Sequence, residues 1–407
     1  MVGQIGQIGQ LVGAIGGPLT PITGGGEYVG LDVDFVKGRY ALNGPYSAAF
    51  PTGWTFSRSS QKLAASAAGV LMLFAAGLPA ITDKGLLVEE QRTNKVTVNN
   101  ANPVDTTGLT KAGDAASVLS VVDDVAALAA AGLSGICTSG KVFMLDNSLG
   151  VATASVANNG GASGNVNVHA WSAYVRGSGV ASFRTATGGT VIGSTFAVGA
   201  SYARFDRSSA PNALSVGWNI SAAAGAVVYF ILPQYEEGAF VTSPIVTTGA
   251  AATRANDSAI LVSLGAMLAG VFTVAVELSM DAIDGTERRF WVLSDGTSSN
   301  RVIHGKTIAN NMSAFSVSGG ATGSPAAISG YAGALVGVKT AVRQLLTGDL
   351  RLAVNNVLSS SVATPPPISV DRLLLGTSAS SSQAVFIKRL RIIPGDMTDA
   401  QLQALTT

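Results

Sequence analysis

Cysteine and histidine are nearly absent from this chain. One cysteine, Cys137, occurs in 407 residues. It cannot form an intrachain disulfide, which excludes the class of small secreted proteins held together by disulfides. The only two histidines, His169 and His304, lie far apart in the sequence. That spacing excludes a histidine-rich metal site.

Charged and aromatic residues are also scarce. Charged residues make up 12% of the chain, against about 25% in an average domain. The 25 Lys and Arg residues nearly balance the 24 Asp and Glu residues, for a net charge of +1. Such a chain has no long-range field to attract nucleic acid, so no DNA or RNA partner is predicted. Aromatic residues make up 6%, too few for an extended stacking platform.

No segment has the features of a leader or a membrane span. The first residues, MVGQIGQIGQ, lack the basic region of a signal peptide, so we expect no cleaved leader and folding in a reducing cytoplasm. Residues 258–276 are uncharged and approach the ~20 residues that a bilayer requires. However, Gly265 and Gly270 interrupt them, and the residues from Phe272 to Leu278 alternate. This pattern predicts a strand, a loop and a second strand.

Glycine and aliphatic residues are abundant. The chain contains 49 glycines and 47% hydrophobic residues, with a mean hydropathy of +0.39. These values favour a protein that hides much of its surface in an assembly. Nine glycines fall in the first 26 residues, which argues against an independent helix there. We expect residues 1–29 to attach the chain to a larger partner or to copies of itself, a frayed terminus being the alternative.

From residue 30 onward the pattern is typical of antiparallel β-structure. Leu31, Val33 and Phe35 alternate with polar residues, and many short strands follow at intervals of about ten residues. Helix is predicted at 122–133, with Asp123 or Asp124 as its cap, and at the end, where Thr398 begins a capping box. The aperiodic segment 246–258 predicts a domain boundary. The prediction is a mainly β chain: an attachment segment at 1–29, a β-sandwich at 30–256 and a jelly roll at 257–407.

The carboxylates give no clear catalytic pair. Glu89–Glu90 and Glu236–Glu237 are adjacent in strands, so each pair points to opposite faces and cannot flank one glycosidic bond. A catalytic pair formed by one glutamate from each motif stays open. The favoured interpretation is that these glutamates have a structural role and hydrogen-bond with Arg92 or Arg254. His169 and Cys137 are interpreted as packed residues. We therefore predict no catalytic residue and no enzyme.

Candidate binding residues are few. Sugar recognition uses aromatic faces beside polar groups, and the candidates are Trp171, Tyr174, Arg176 and Trp291. Tyr174 and Arg176 share the strand face opposite Trp171. Trp218 and Trp291 have apolar neighbours, which makes core packing the favoured alternative for both. No phosphate-binding loop occurs.

Three aspartates are candidate metal ligands. They lie in loops of the second predicted domain, at Asp281, Asp284 and Asp295. Calcium requires six to eight oxygen ligands. The sequence Asp-Gly-Thr is also common in turns that bind no metal. We predict no metal and no cofactor.

Four segments resemble one family. WTFSRSS (54–60), GLLVEEQRTN (85–94) and LPQYEEGAFVTSPIVTTGAAATRANDS (232–258) are similar to motifs of tailed-phage fibre, spike and tail structural proteins. In that family a carbohydrate-module-like β-sandwich precedes a concanavalin-like or laminin-G-like jelly roll. The closing segment 385–407 resembles the last strand and short helix of such chains. The resemblance covers residues 30–407.

The resemblance implies a virion structural protein, made in the cytoplasm of a bacterial host. It implies a head or tail spike or fibre, a homotrimer whose N-terminal segment docks onto other virion proteins and whose modules bind host surface polysaccharide. One alternative is a purely architectural decoration or baseplate protein. A polysaccharide depolymerase is a third, less favoured alternative, since it requires two carboxylates about 5–9.5 Å apart in a cleft.

Overall fold

The computed structural model describes residues 28–66, 70–158, 160, 162–185, 189–211, 213–280, 287–366, 369–376 and 384–407. All but the end of the predicted attachment segment, 1–29, lies outside these residues. The described residues form antiparallel strands and three short helices. The prediction of a mainly β chain is confirmed.

The strands are short and spread along the whole chain. The first nineteen are β1 (Tyr28–Asp34), β2 (Arg39–Gly44), β3 (Trp54–Ser57), β4 (Lys62–Ala65), β5 (Leu71–Phe74), β6 (Ile81–Thr82), β7 (Gly85–Glu89), β8 (Arg92–Asn94), β9 (Thr110–Gly113), β10 (Val118–Asp123), β11 (Lys141–Asp146), β12 (Ala154–Asn158), β13 (His169–Ser178), β14 (Val180–Phe183), β15 (Phe196–Ala197), β16 (Ala203–Ser209), β17 (Trp218–Ala222), β18 (Val227–Glu237) and β19 (Ala252–Arg254).

The remaining strands are β20 (Ser258–Leu261), β21 (Phe272–Met280), β22 (Arg288–Ser294), β23 (Arg301–Lys306), β24 (Met312–Ser318), β25 (Ala321–Thr322), β26 (Ala326–Ile328), β27 (Leu335–Gln344), β28 (Asp349–Val354), β29 (Val357–Leu358), β30 (Val362–Ala363), β31 (Arg372–Leu375) and β32 (Ala384–Pro394). The helices are α1 (Val125–Ala130), α2 (Gly265–Leu268) and α3 (Asp399–Ala404).

The chain divides into two compact units that interleave along the sequence. Among the described residues, the first unit contains those in 28–56, 84–89 and 258–407, and the second contains those in 57–83 and 90–257. The sequence-based division placed 30–56 and 84–89 in the N-terminal domain. In the structure β1 and β7 pair with β32, where Leu31 lies opposite Ile392 and Val88 opposite Val385. Antiparallel pairing joins strands that are remote in sequence, and periodicity does not reveal the partner.

The second unit is a sandwich of two antiparallel sheets. One has the strand order β10-β11-β18-β13-β16, and the other has the order β15-β14-β17-β12-β9. Alternate residues of both sheets fill the space between them, including Phe143, Trp171, Trp218 and Phe230, each with an exposed fraction of zero. Successive side chains of these strands point to opposite faces, and in β12 and β17 both faces are buried.

A smaller apolar cluster lies on the other face of the sheet that contains β13. Leu128 of α1, Leu133 and Cys137 pack there against Ile231 and Val142. Cys137 is buried, and burial raises the pKa of its thiol to about 12. The interpretation of Cys137 as a packed apolar residue is confirmed.

The first unit also has two principal sheets. Their strand orders are β2-β1-β32-β21-β27-β28-β29 and β25-β24-β23-β22-β31-β20-β3. Residues 258–276 form β20, α2 and the start of β21, so the predicted strand–loop–strand is confirmed, with a short helix in the connection. None of the helices in the described residues has the length and apolar character that a membrane crossing requires.

The C-terminal helix α3 has the predicted capping box. Thr398 Oγ1 accepts from Gln401 N at 3.3 Å, and Thr398 N donates to Gln401 Oε1 at 2.9 Å. Leu402 is buried and packs with Leu405 on small strand residues, among them Ala275. The short helix therefore covers one face of the sheet formed by β21, β27 and β28.

Candidate functional site

Arg176 and two tyrosines lie side by side on the face of the β13 sheet that points away from the sandwich core. Strand register places Arg176 of β13 opposite Tyr229 of β18. Tyr202 lies immediately before β16, on the other side of β13. The guanidinium carbon of Arg176 is 4.0 Å from the Tyr229 ring centroid and 5.6 Å from that of Tyr202. We refer to Tyr202, Arg176 and Tyr229 as the Tyr–Arg row.

Asp124 fixes the arginine of this row. Arg176 Nε donates to Asp124 Oδ2 at 2.6 Å and Arg176 Nη2 donates to Oδ1 at 2.5 Å. The hydroxyl of Tyr202 donates to Oδ2 at 2.7 Å. Such a bidentate pair holds a guanidinium in one orientation. Because three donors converge on one carboxylate, Arg176 is positioned before any ligand arrives.

The predicted role of Asp123 or Asp124 as a helix cap is wrong. Asp124 occupies the N-cap position of α1, but its side chain makes no capping hydrogen bond. Asp123 belongs to β10. The carboxylate of Asp124 instead accepts from Arg176 and Tyr202, and its bidentate pair with the guanidinium joins two opposite charges. The helix is also shorter than predicted, beginning at Val125 and ending at Ala130.

The electrostatics of the row keep both donors protonated. The hydrogen bonds to Asp124 raise the pKa of Arg176 above its ordinary value. Burial, followed by the hydrogen bond to Asp124, raises the pKa of Tyr202 well above its ordinary range. Tyr202 therefore remains a hydroxyl donor and Arg176 a cation at every physiological pH.

The row retains unused donors. Within the described residues, Arg176 Nη1 and the hydroxyls of Tyr174 and Tyr229 make no hydrogen bond. Tyr174, Arg176 and Tyr229 are all half-buried, with their rings and guanidinium packed against the sheet. A planar cation between aromatic rings, with free N–H and O–H groups at its edge, can contact both the apolar face and the hydroxyls of a sugar.

The structure separates the four predicted binding residues into two groups. Tyr174 and Arg176 share the outer face of β13, as the alternation predicts. Trp171 and Trp291 are completely buried, in the cores of the second and first unit respectively. Trp291 packs 5.7 Å from the ring of His304. Neither indole presents a face to solvent.

The sequence analysis missed Asp124, Tyr202 and Tyr229. Tyr229 alternates with buried Val228 and Phe230 in β18, a pattern that places it on the outer face. Tyr202 precedes β16 and lacks such a pattern. For Asp124 the sequence pattern predicts a helix cap instead. Only Tyr229 could have been found from the sequence, by extending the face argument used for Tyr174.

Several polar residues of the segments that resemble phage proteins make buried contacts within the second unit. Arg58 Nη1 donates to Asp257 Oδ1 at 2.7 Å, and Lys62 Nζ donates to Oδ2 at 2.6 Å. Arg254 Nη1 donates to Ser243 Oγ at 2.7 Å. These contacts are buried, so they hold segments together and offer nothing to a ligand.

Two asparagines extend this internal network. The side-chain amides of Asn94 and Asn100 both donate to the carbonyls of Pro233 and Ile245, at 2.9–3.2 Å. Gln234 Oε1 accepts from Ile245 N at 2.7 Å. Buried polar groups require such partners. Asn94 and Asn100 thus connect the end of β18 to the segment that follows it.

The glutamates of the motifs have separate structural partners. Glu236 accepts from Thr242 N at 2.5 Å and Thr242 Oγ1 at 2.8 Å, and burial raises its pKa. Glu237 accepts from Asn165 and Asn167, whose amides lower its pKa. Glu90 forms an ion pair with Arg92. The prediction that adjacent glutamates face opposite sides is confirmed for Glu236 and Glu237.

The remaining candidates are structural or lie outside the described residues. His169 is buried, its Nδ1 donates to Asn167 O, and its ring stacks on Tyr235. Asp295 accepts from Thr297 and Asn300 within its own turn. Asp281 and Asp284 lie outside the described residues. In the part of the chain that the structure describes, no three acidic, His or Cys residues cluster as a metal site.

Comparison with known proteins gives structural similarity only. No protein-family model and no curated protein matches the chain. The CBM40 of Ruminococcus gnavus IT-sialidase bound to α2,3-sialyllactose is 13% identical, with a TM-score of 0.28, over 34% of this chain and 83% of that one. The botulinum neurotoxin serotype D binding domain is 11% identical, with a TM-score of 0.31, over 36% of this chain and 39% of that one. Similarities this low assign no function.

Proposed function

We propose that this chain is a virion structural protein, a spike or fibre of a phage or phage-like particle, which binds host surface polysaccharide through the Tyr–Arg row. The observation that carries the binding proposal is the pre-positioned Arg176, held by Asp124 between two tyrosine rings. The virion assignment is supported by the sequence motifs at 54–60, 85–94 and 232–258. Arg58 of the first motif and Asp257 of the third form a buried ion pair.

The chemistry of the row suits a saccharide. A pyranose has one face of C–H bonds, which packs on an aromatic ring, and a rim of hydroxyls, which need donors and acceptors. Tyr229 supplies a ring and a hydroxyl, and Arg176 supplies the free Nη1. Asp124 has already fixed the guanidinium, so little side-chain entropy is lost on binding.

The proposal is tested with purified host surface polysaccharide and Tyr229 variants. Tyr229→Ala removes ring and hydroxyl, and we expect at least tenfold weaker binding by isothermal titration calorimetry. Tyr229→Phe retains the ring, and we expect an intermediate loss of threefold to fivefold. Arg207→Ala is the matched control, because Arg207 lies on β16 and bonds Ser194 instead. Unchanged affinity in Tyr229→Ala would show that the row is not the binding site.

The architectural alternative is favoured by a different observation. In the second unit the apolar side chains of Leu149 and Val151 are 83% and 93% exposed. Exposed aliphatic residues that adjoin in sequence are typical of protein contacts. If polysaccharide fails to bind while particles lacking the protein fail to assemble, this second function is the correct one.

A further inference from the structure

A cavity of about 410 Å³ lies within the first unit, beside the helix α2. Its lining comes from three parts of the chain. These are α2 with the residues that follow it, the turn between β27 and β28, and residues 366 and 369–371. The volume is in the range of pockets that hold a compact ligand or a few side chains.

The lining of this cavity is largely apolar. Leu268 of α2 and Phe272 of β21 are buried side chains of the lining, and Leu346, which is 61% exposed, also belongs to it. Among the described lining residues only Asp371 is charged, and it forms an ion pair of 3.1 Å with the arginine that follows it. The cavity therefore suits an apolar and uncharged occupant.

A buried acceptor without a partner adjoins the cavity. Gln344, at the end of β27, lines the cavity and is 2% exposed. Its Nε2 donates to Leu345 O at 3.1 Å, whereas its Oε1 makes no hydrogen bond within the described residues. Buried acceptors normally have a donor. Because a backbone N–H group is such a donor, this acceptor favours a peptide over a hydrocarbon as the occupant.

The strand β1 starts at the same end of the sheet as the cavity. The sheet order places β1 beside β32, β32 beside β21, and β21 beside β27. Phe272, the first residue of β21, lies opposite Pro394 of β32 and Gln344 of β27. Antiparallel pairing puts Tyr28, the first residue of β1, at that same end. Three strand spacings separate β1 from β27, a lateral distance of about 14 Å.

The residues that precede β1 match the cavity in chemistry and in reach. Residues 1–26 contain no charged side chain. Ile22 stands six positions before Tyr28, and six extended residues span up to about 20 Å, which exceeds the lateral distance. The glycines at 24–26 tolerate the dihedral angles of a sharp turn. Pro21 restricts the free segment, so less entropy is lost when Ile22 is bound.

We propose that Leu19 and Ile22 of the same chain occupy this cavity, with a backbone N–H group of their segment donating to Gln344 Oε1. The contact lies within one unit and goes beyond the proposed glycan binding. It also changes the role of the segment that the sequence analysis assigns to attachment, because attachment to a particle then requires release of Leu19 and Ile22 from the cavity.

A disulfide trap tests the proposal on the full chain. Ile22→Cys is combined with Leu346→Cys, and the control combines Ile22→Cys with Pro45→Cys. Pro45 is exposed and follows Gly44, which lies opposite Tyr28, so it is nearer to the start of β1 than the cavity is. An unbound segment would react at least as fast with position 45. We expect the pair that includes Leu346→Cys to form an intrachain disulfide at least fivefold faster than the control pair.

Non-reducing electrophoresis and peptide mapping measure these disulfides, and the native thiol of Cys137 is buried. Equal rates for the two pairs, or no disulfide at position 346, would overturn the inference. Disulfides formed only between chains would place the segment on a neighbouring copy, which overturns the inference as well.

A synthetic peptide of residues 15–26 provides a second measurement that needs no cysteine. In the full chain with Leu19→Asp and Ile22→Asp, the segment should leave the cavity and make it available to the peptide. We expect the peptide to bind this double variant at least tenfold more tightly than the unmodified chain, by isothermal titration calorimetry. Ile5→Asp with Ile8→Asp is the matched control, which adds the same charge to the same segment and should exclude the peptide as the unmodified chain does. Similar affinities for all three chains would contradict the proposal.

Discussion

Trp171 and Trp218 exchange hydrogen bonds between the two sheets of the second unit. Trp171 Nε1 on β13 donates to Gly217 O at 3.2 Å, and Trp218 Nε1 on β17 donates to Ser172 O at 3.0 Å. Each indole therefore reaches the backbone next to the other. Both side chains are completely buried, so the pair joins the sheets by polar contacts as well as by packing.

Removing either indole should destabilise the second unit. Trp171→Phe loses one hydrogen bond, leaves Gly217 O without that donor and opens a small cavity, and we expect a cost of about 2–4 kcal/mol in the free energy of unfolding. The double variant with Trp218→Phe should deviate from additivity by at least about 0.5 kcal/mol, because the residues adjoin. Urea denaturation measures both the cost of the single variant and the deviation from additivity.

Trp54→Phe is the control, since Trp54 Nε1 makes no hydrogen bond in the described residues. Equal costs for Trp54→Phe and Trp171→Phe would contradict the assigned role.

Asp257 should be critical for the stability of the second unit. Its carboxylate faces Arg58 and Lys62, whose side chains are 2% and 0% exposed. Asp257→Asn would leave two buried cations facing a neutral group, and we expect a loss of about 3–5 kcal/mol. Asp123→Asn is the control, because Asp123 is 76% exposed beside Lys141 and should cost no more than about 0.5 kcal/mol. Thermal unfolding of both variants would decide the point, and similar melting temperatures would refute it.

His304 should make the first unit sensitive to acid. Its Nδ1 donates to Ser313 O at 2.9 Å and its Nε2 accepts from Thr340 Oγ1 at 3.0 Å, so the neutral ring is the one that fits. Burial lowers the pKa of His304 to about 4. Below pH 6.5 the histidine is protonated in the unfolded chain but stays neutral in the folded chain. The free energy of unfolding therefore decreases between pH 6.5 and 4, by on the order of 3 kcal/mol.

Unfolding in urea at several pH values measures this loss. In His304→Gln the part of the pH dependence between 6.5 and 4 should be reduced, while the wild-type chain shows the full decrease. An identical pH profile in the two proteins would exclude His304 as its source.

The state of assembly is the most general test of the virion assignment. We expect a trimer of the 40.9 kDa chain. The composition is strongly apolar, and exposed apolar side chains such as Val336, 85% exposed, would be buried between copies of the chain. Light scattering on the full chain and on a chain lacking residues 1–26 should give three times the monomer mass in both cases. If the full chain and the shortened chain are both monomeric, trimerisation by the β units is contradicted. A trimer of the full chain alone would assign assembly to the first 26 residues.

Local patterns predicted the elements well, and long-range partners poorly. The alternation of Leu31 and Val33 identified β1 and the burial of these two side chains, although Asp32 and Asp34, which alternate with them, are buried as well. The capping box at Thr398 identified the start of α3. Both signals reside within a few residues. The pairing of β1 with β32 involves residues about 360 positions apart, and no local pattern carries that information.

The candidate site shows the same limit. Period-two alternation placed Tyr174 and Arg176 on one face. It could not show that Asp124, fifty-two positions away from Arg176, would bind the guanidinium. A local rule, the preference of aspartate for helix starts, pointed instead to capping. A charged partner at close range outweighs such a preference, and only the folded chain shows which partner is near.

The interleaved units also constrain how the chain is made. During synthesis β1 and β7 leave the ribosome early, but β32, with which both pair, emerges only with the last 24 residues. At about 5–20 residues per second, the wait is on the order of tens of seconds. Residues 90–257 are complete well before that, so the second unit can close while the first still lacks the strand that β1 and β7 share. A chain released before residue 384 lacks β32, the strand that pairs with both β1 and β7, so the sheet of its first unit stays incomplete.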